Sequence, residues 1–217
     1  DELFGKNEEI SVIVVLKEAG DGRYLVCVED NGPGIVKEQI PRVFAKLLYG
    51  SKFFRFRQGR GQQGIGVSAS VLYGQLTTGK PAKITSRISP KKPTHYYEIH
   101  IDINKNEPEI VTDKEIEWMK DHGTKVEIEM EGKYQKGRLS VDEYLKQTAI
   151  SNPHMSLVYI SPLNEKVEFK RVTSELPKEP KEIKPHPYGI EFGVLLRMLR
   201  SADSRTVKSF LASEFSR

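Results

Sequence analysis

The sequence predicts an α/β (α+β) fold: a two-layer sandwich of mixed, mostly antiparallel sheet with helices on one face, followed by a short helical pair. Three observations lead there. Runs rich in Val and Ile, bounded by Gly, Pro and Asn, recur along most of the chain as strands and hairpins do. Between them lie stretches with apolar residues at helical spacing. Near the end, residues 176–187 place Pro177, Pro180, Pro185 and Pro187 among lysines and glutamates, the composition of an extended linker. A chain of 217 residues has room for one large core or for one domain and an appendage.

The first element is a hairpin. Residues 10–16 are rich in Val and Ile, Gly20-Asp21-Gly22 offers a turn, and residues 24–29 resume the apolar run. The second strand ends at Asp30, which fixes a carboxylate beside a backbone freed by Gly32 and Gly34. An ionised carboxylate only accepts hydrogen bonds, so the position suits recognition of a ligand's N–H group. Taken alone, Asp30-Asn31-Gly32-Pro33-Gly34 also reads as an ordinary turn.

Pro41 then opens a helical stretch carrying Val43, Phe44, Leu47 and Leu48, closed by Tyr49-Gly50. Residues 51–60 interleave basic and aromatic side chains: Lys52, Phe53, Phe54, Arg55, Phe56 and Arg57. Three phenylalanines in a polar loop fold down on something, as a lid over ligand does. The same interleaving also suits single-stranded nucleic acid. The neighbouring segment favours the lid. In Arg60-Gly61-Gln62-Gln63-Gly64-Ile65-Gly66-Val67 the glycines remove side chains that keep backbone N–H groups from an anion, and a helix starting near Gly64 points its free N–H groups the same way. Ile65, Ala69, Leu72 and Leu76 mark that helix.

Residues 82–88, 95–103 and 125–130 complete the antiparallel sheet, with Gly123-Thr124-Lys125 entering the last strand. A helix over residues 141–150 follows, capped by Ser140 with Glu143 as capping-box partner. Residues 155–160 and 166–169 form a hairpin around Pro162-Leu163-Asn164. After the linker, residues 191–199 and 206–215 have helical patterning, with Asp203 or Ser204 as the second cap. These boundaries predict a domain over residues 1–175, a linker over 176–187 and a helical segment over 188–217.

The net charge of +4 is unevenly spread. No carboxylate lies between Glu38 and Glu98, while Arg42, Lys46, Lys52, Arg55, Arg57, Arg60, Lys80, Lys83, Arg87, Lys91 and Lys92 do, a run that attracts polyanions. Cys27 has no partner for an internal disulfide and sits in an apolar strand, the place of a small buried hydrophobe. His95, His100 and His122 lack metal-ligand spacing. No apolar run approaches membrane-spanning length and no secretory pattern opens the chain, so a cytoplasmic location away from membranes is the default expectation.

Asp30-x-Gly32-x-Gly34, a helix, a lid and Gly61-x-x-Gly64-x-Gly66 resemble the two glycine boxes of the GHKL (Bergerat-fold) ATPases, which include gyrase B, MutL, the large heat-shock chaperones and sensor histidine kinases. Within that set Gly50-Ser51-Lys52-Phe53, the segment from Arg60 to Gly66, and Thr77-Thr78-Gly79-Lys80-Pro81 are similar to the B subunits of archaeal topoisomerase VI. The resemblance implies ATP and Mg²⁺ as cofactors. It places Asp30 on the adenine amino group with Gly32 and Gly34 beside it, and Ser51 and Lys52 on the nucleotide. Arg60, Gly61, Gln62, Gln63, Gly64, Ile65, Gly66 and Val67 wrap the triphosphate, and the Thr124 hydroxyl supports the adenine end. It implies an ATP-dependent component of a type II topoisomerase acting on double-stranded DNA, partnered by the topoisomerase VI A subunit in a heterotetramer and dimerising through B subunits when ATP binds, in the archaeal cytoplasm with the nucleoid. Residues 188–217 resemble the start of the helix-two-turns-helix domain.

In that family a first box, a helix bearing a catalytic glutamate and a Mg²⁺-holding asparagine, precedes the hairpin. Only Asp1 to Glu9 stands there, without such an arrangement. The expectation is an internal fragment, also lacking the transducer domain, that is monomeric, holds no catalytic or metal-ligating residue of its own, and binds ATP without turning it over. Two alternatives belong beside this reading: another GHKL member, MutL-like or kinase-like, and a nucleotide-independent basic DNA-binding module.

Overall fold

The computed structural model describes residues 9–50, 63–178, 180–181 and 183–216. They divide into two units, residues 9–50 with Gln63–Leu176, and residues 177–216. The first unit is built on eight strands: β1 (Ile10–Gly20), β2 (Arg23–Asp30), β3 (Ala82–Arg87), β4 (Thr94–Asp102), β5 (Glu107–Ile116), β6 (Gly123–Glu131), β7 (Met155–Ile160) and β8 (Lys166–Phe169). They form one sheet in the order β5-β4-β3-β6-β2-β1-β7-β8. Only β1 and β7 run parallel; the other neighbours are antiparallel.

Alternation along each strand decides which side becomes the core. Val14 lies opposite Val28, Val28 opposite Val126, Val126 opposite Ile84 and Ile84 opposite Tyr97, one row of side chains crossing five strands on a single face. Helices α1 (Ile40–Ala45), α2 (Gly66–Thr78) and α3 (Val141–Ser151) pack on that face. Ile40, Phe44 and Val71 meet Ile84, Tyr97, Ile99, Ile101 and Ile128 in one cluster. Leu145 meets Val14, Leu16, Leu157 and Tyr159 in a second. Fully buried residues such as Ile84 and Ile99 each contribute about 1.5–3 kcal/mol.

Three elements differ from the sequence reading. The helix opened by Pro41 stops at Ala45, and Leu47 and Leu48 lie beyond it. Asn106 explains the stop: its side chain accepts the Leu47 N–H at 2.8 Å and donates to the Leu47 carbonyl at 3.1 Å, replacing helical bonds with an extended pairing. Helix α2 forms as expected but turns another face inward. Ser68, Val71 and Gly74 are buried, while Ile65, Ala69 and Leu76 are exposed. A Cβ at Gly74 would stand 2.6 Å from Ile128 Cγ2, so the helix lies against the sheet through its smallest residues. Strand β5 has no counterpart in the sequence reading; its segment EPEIVTDKEI is mostly charged, which suits an edge strand.

Cap chemistry differs too. Ser140 accepts the Glu143 N–H as expected, but the Glu143 carboxylate turns to Gln147 and Lys146. In the second unit a 3₁₀ turn Pro187–Gly189 leads to α4 (Phe192–Ser201) and α5 (Val207–Glu214). The cap of α5 is Thr206, in a reciprocal box with Ser209, and not Asp203 or Ser204. Phe210 and Phe215 are buried edge to face, and the Ser216 N–H reaches the Pro185 carbonyl at 3.0 Å. Among the described residues no helix is long and apolar enough to cross a membrane.

Candidate functional site

The site grows from the end of β2. Asp30 Oδ1 accepts the Gly32 N–H at 2.7 Å and the Thr124 N–H at 3.3 Å. Both bonds fall on one oxygen, so among the described residues Oδ2 has no hydrogen-bond partner and stays available to a ligand. Burial pushes the Asp30 carboxyl above its ordinary range, while the Gly32 and Thr124 N–H groups and the Lys120 charge pull it back.

The loop after Asp30 crosses the ends of β6 and β3 and is held from both sides. Asn31 accepts the Ser11 N–H at 2.8 Å and donates to the Glu9 carbonyl at 2.8 Å, tying the loop to β1. Gly34 has φ of +69°, and a Cβ there would stand 2.1 Å from the Arg87 carbonyl oxygen, so packing as well as conformation demands glycine. Ser86, fully buried, accepts the Ile35 N–H at 2.9 Å and stands 3.0 Å from Thr124 Oγ1. Val28 lies on the same face as Asp30, two residues back along β2, and is 38 % exposed, an apolar floor beside a hydrogen-bond acceptor.

Helix α2 supplies the second half. Gly74 sits on Ile128, Thr78 Oγ1 donates to the Glu129 carbonyl and Thr77 Oγ1 accepts the Glu131 N–H, so the second half of α2 packs on the second half of β6. The first residues of α2 carry no side-chain cap, and a Cβ at Gly66 would meet nothing within 4 Å among the described residues, so the described residues leave this backbone open to an anion.

Of the residues singled out from sequence, Asp30, Gly32, Gly34 and Thr124 come together, and Gly64, Gly66 and the exposed Gln63, Ile65 and Val67 lie at the start of α2. Ser51, Lys52, Arg60, Gly61, Gln62 and the phenylalanines of the lid lie outside the described residues. At φ of +64°, a Cβ on Gly64 would stand 2.5 Å from the Tyr49 carbonyl oxygen, so close packing on the chain before residue 51 as well as conformation demands glycine there. Sequence reasoning missed Val28, Ser86, Lys120 and His122. His122 Nδ1 lies 2.9 Å from the Gly32 carbonyl and Lys120 Nζ 2.5 Å from Glu29 Oε1, contacts that carry no local signature. Among the described residues no group of three or more His, Cys, Asp or Glu side chains is placed to hold a metal.

Residues 4–133 match the family described as histidine kinase-, DNA gyrase B- and HSP90-like ATPase, well over half of the chain. The chain belongs to this ATPase family. It is 54 % identical to the B subunit of type 2 DNA topoisomerase 6 from Methanococcoides burtonii, over 95 % of this chain and 33 % of that protein. The corresponding protein of Archaeoglobus fulgidus is 52 % identical, over 91 % of this chain and 33 % of that protein. The chain thus spans about a third of the length of the curated relatives it matches. Among solved structures, the Aquifex aeolicus MutL ATPase domain complexed with ADP aligns with a TM-score of 0.47 at 19 % identity, over 76 % of this chain and 57 % of that one. Membership in this ATPase family implies nucleotide binding, and the sheet with its helices on one face is the family's fold.

Proposed function

We propose that this chain is the adenine-nucleotide-binding part of a topoisomerase VI-type B subunit. The observation that carries the reading is the Asp30 carboxylate, with Oδ1 engaged by backbone N–H groups, Oδ2 without a hydrogen-bond partner among the described residues, and Val28 exposed on the same face of β2. An adenine ring lies on Val28 and donates its amino group to Oδ2, with Thr124 supporting that end. The triphosphate, with Mg²⁺ carried on it, reaches the α2 N-terminus at Gly66. Ser51, Lys52, Arg60, Gly61 and Gln62 close over the nucleotide. When bound, ATP supplies the phosphoanhydride whose cleavage powers the family's conformational work; the residues described here bind and orient it.

In the whole protein this domain, residues 1–175, joins through 176–187 to a helix-two-turns-helix domain that begins at 188. ATP draws two B subunits together, and with the A subunit the assembly passes one DNA duplex through another, in the cytoplasm and at the nucleoid. The similarity to topoisomerase 6 B subunits at 54 % identity supports this wider reading.

Calorimetric titration with a non-hydrolysable ATP analogue and its GTP counterpart, with Mg²⁺ at low and high salt, tests it. The guanine carbonyl turns a lone pair toward Asp30, so the expected preference for adenine is roughly tenfold to a hundredfold. That preference persists at high salt. Binding that ignores the base and collapses with salt would instead mark a polyanion surface.

A further inference from the structure

Arg87 closes β3 and sends its side chain to the face opposite Ser86, where the guanidinium gathers five carbonyl oxygens. Nε donates to Ser89 at 3.1 Å and Lys92 at 2.9 Å, Nη2 to Pro90 at 2.6 Å, and Nη1 to Lys120 at 3.1 Å and Trp118 at 3.5 Å. One side chain thereby ties the loop of residues 88–93 to the loop of residues 117–122. The second loop reaches the adenine side of the site twice, through Lys120 on Glu29 at 2.5 Å and His122 on the Gly32 carbonyl at 2.9 Å. The Arg87 main chain reaches it as well, since its carbonyl packs where Gly34 has no Cβ. Glu29 and Gly32 flank Asp30 on either side.

We infer that Arg87 is a positioning residue for base recognition: by fixing the loop behind Asp30 it sets the direction of Oδ2. The inference rests on the nucleotide reading above. A planar fork with five N–H donors suits scattered carbonyls, which the three donors of a lysine on a single nitrogen cannot span together. The carbonyls lie in loops that water reaches, so losing the guanidinium perturbs aim more than global stability.

The test takes the 217-residue chain with Arg87→Ala and Arg87→Lys, read by backbone hydrogen exchange and by titration with non-hydrolysable ATP, its inosine counterpart and inorganic tripolyphosphate. Exchange should quicken at residues 30–34 and 117–124 while β1 and β7 keep their protection. The ATP analogue should weaken roughly tenfold, the loss expected of misaligned charged hydrogen bonds. Its preference over the inosine analogue should shrink by the same factor, and tripolyphosphate binding should not change. Arg87→Lys should behave like Arg87→Ala. A lysine variant that keeps the wild-type base preference overturns the inference, as does exchange quickened evenly across the sheet. If the unaltered chain shows no base preference, the Asp30 reading fails, and unchanged exchange in the two loops would separately overturn the clamp.

Discussion

Thr124 stands directly across the β2–β6 pair from Asp30 and gives its backbone N–H to Oδ1 of that carboxylate at 3.3 Å. Strand pairing itself therefore puts the carboxylate on this face and holds its Oδ1. A shift of register by one residue would turn Asp30 to the other face of the sheet and abolish the site.

Replacing Asp30 by Asn separates binding from folding. Burial raises the folded-state pKa of Asp30, so the ionised group costs stability above that pKa, and the cost is relieved as pH falls through it toward the ordinary 3.8. The amide carries no such cost, and its oxygen can still accept from Gly32 and Thr124. Asp30→Asn should melt no lower than the parent at pH 7 yet bind the ATP analogue at least tenfold more weakly by the usual worth of a charged hydrogen bond. A mutant that binds ATP normally would remove Asp30 from the site.

Acid should weaken ATP for the same reason. Protonated Asp30 presents a donor where the adenine amino group also donates, so affinity falls on acidification with a midpoint above 3.8. Tripolyphosphate, titrated in parallel, reports the phosphate contribution; an identical profile for both ligands would place the transition elsewhere.

The glycines at the α2 N-terminus should respond in opposite ways. Gly66→Ala meets no described residue within 4 Å and should gain about 0.4–1 kcal/mol of stability from reduced unfolded-state freedom while impeding the triphosphate. Gly64→Ala forces a left-handed residue against Tyr49 and should cost at least about 1–3 kcal/mol. Denaturant unfolding and analogue titration of both variants decide this, and Gly66→Ala with full affinity would move the phosphates off this helix.

Ser86→Ala leaves the Ile35 N–H without its acceptor and frees the Thr124 hydroxyl to turn. A buried unsatisfied donor costs about 1–3 kcal/mol, measurable by denaturant unfolding. An unchanged midpoint would show that the loop finds another acceptor.

What sequence reveals and what it conceals follow from the range of the forces involved. The hairpin, Asp30 at its end and the Ser140 cap rest on contacts between near neighbours, and they are legible. Strand β5 is not, because an edge strand is free to be charged and carries no apolar alternation. The buried face of α2 is hidden because close approach to the sheet selects Ser68 and Gly74 over bulkier apolar residues. Arg87 reads as one more cation in a basic run, since the carbonyls it gathers include two from residues about thirty positions away. Ser86 gives no signal because a small polar residue in a strand looks the same with or without partners.

The parallel pairing that sets Ile10 beside Met155 has a practical consequence. The family match ends at residue 133, but β1 obtains its second neighbour only from β7, beyond that point. A protein cut there would bare one edge of a segment, residues 10–16, rich in Val and Ile and uncharged until Lys17. Exposed edges of that composition recruit further copies of themselves. The shortened protein should aggregate where the longer chain stays dispersed, so the strand after α3 guards solubility as well as completing the sheet.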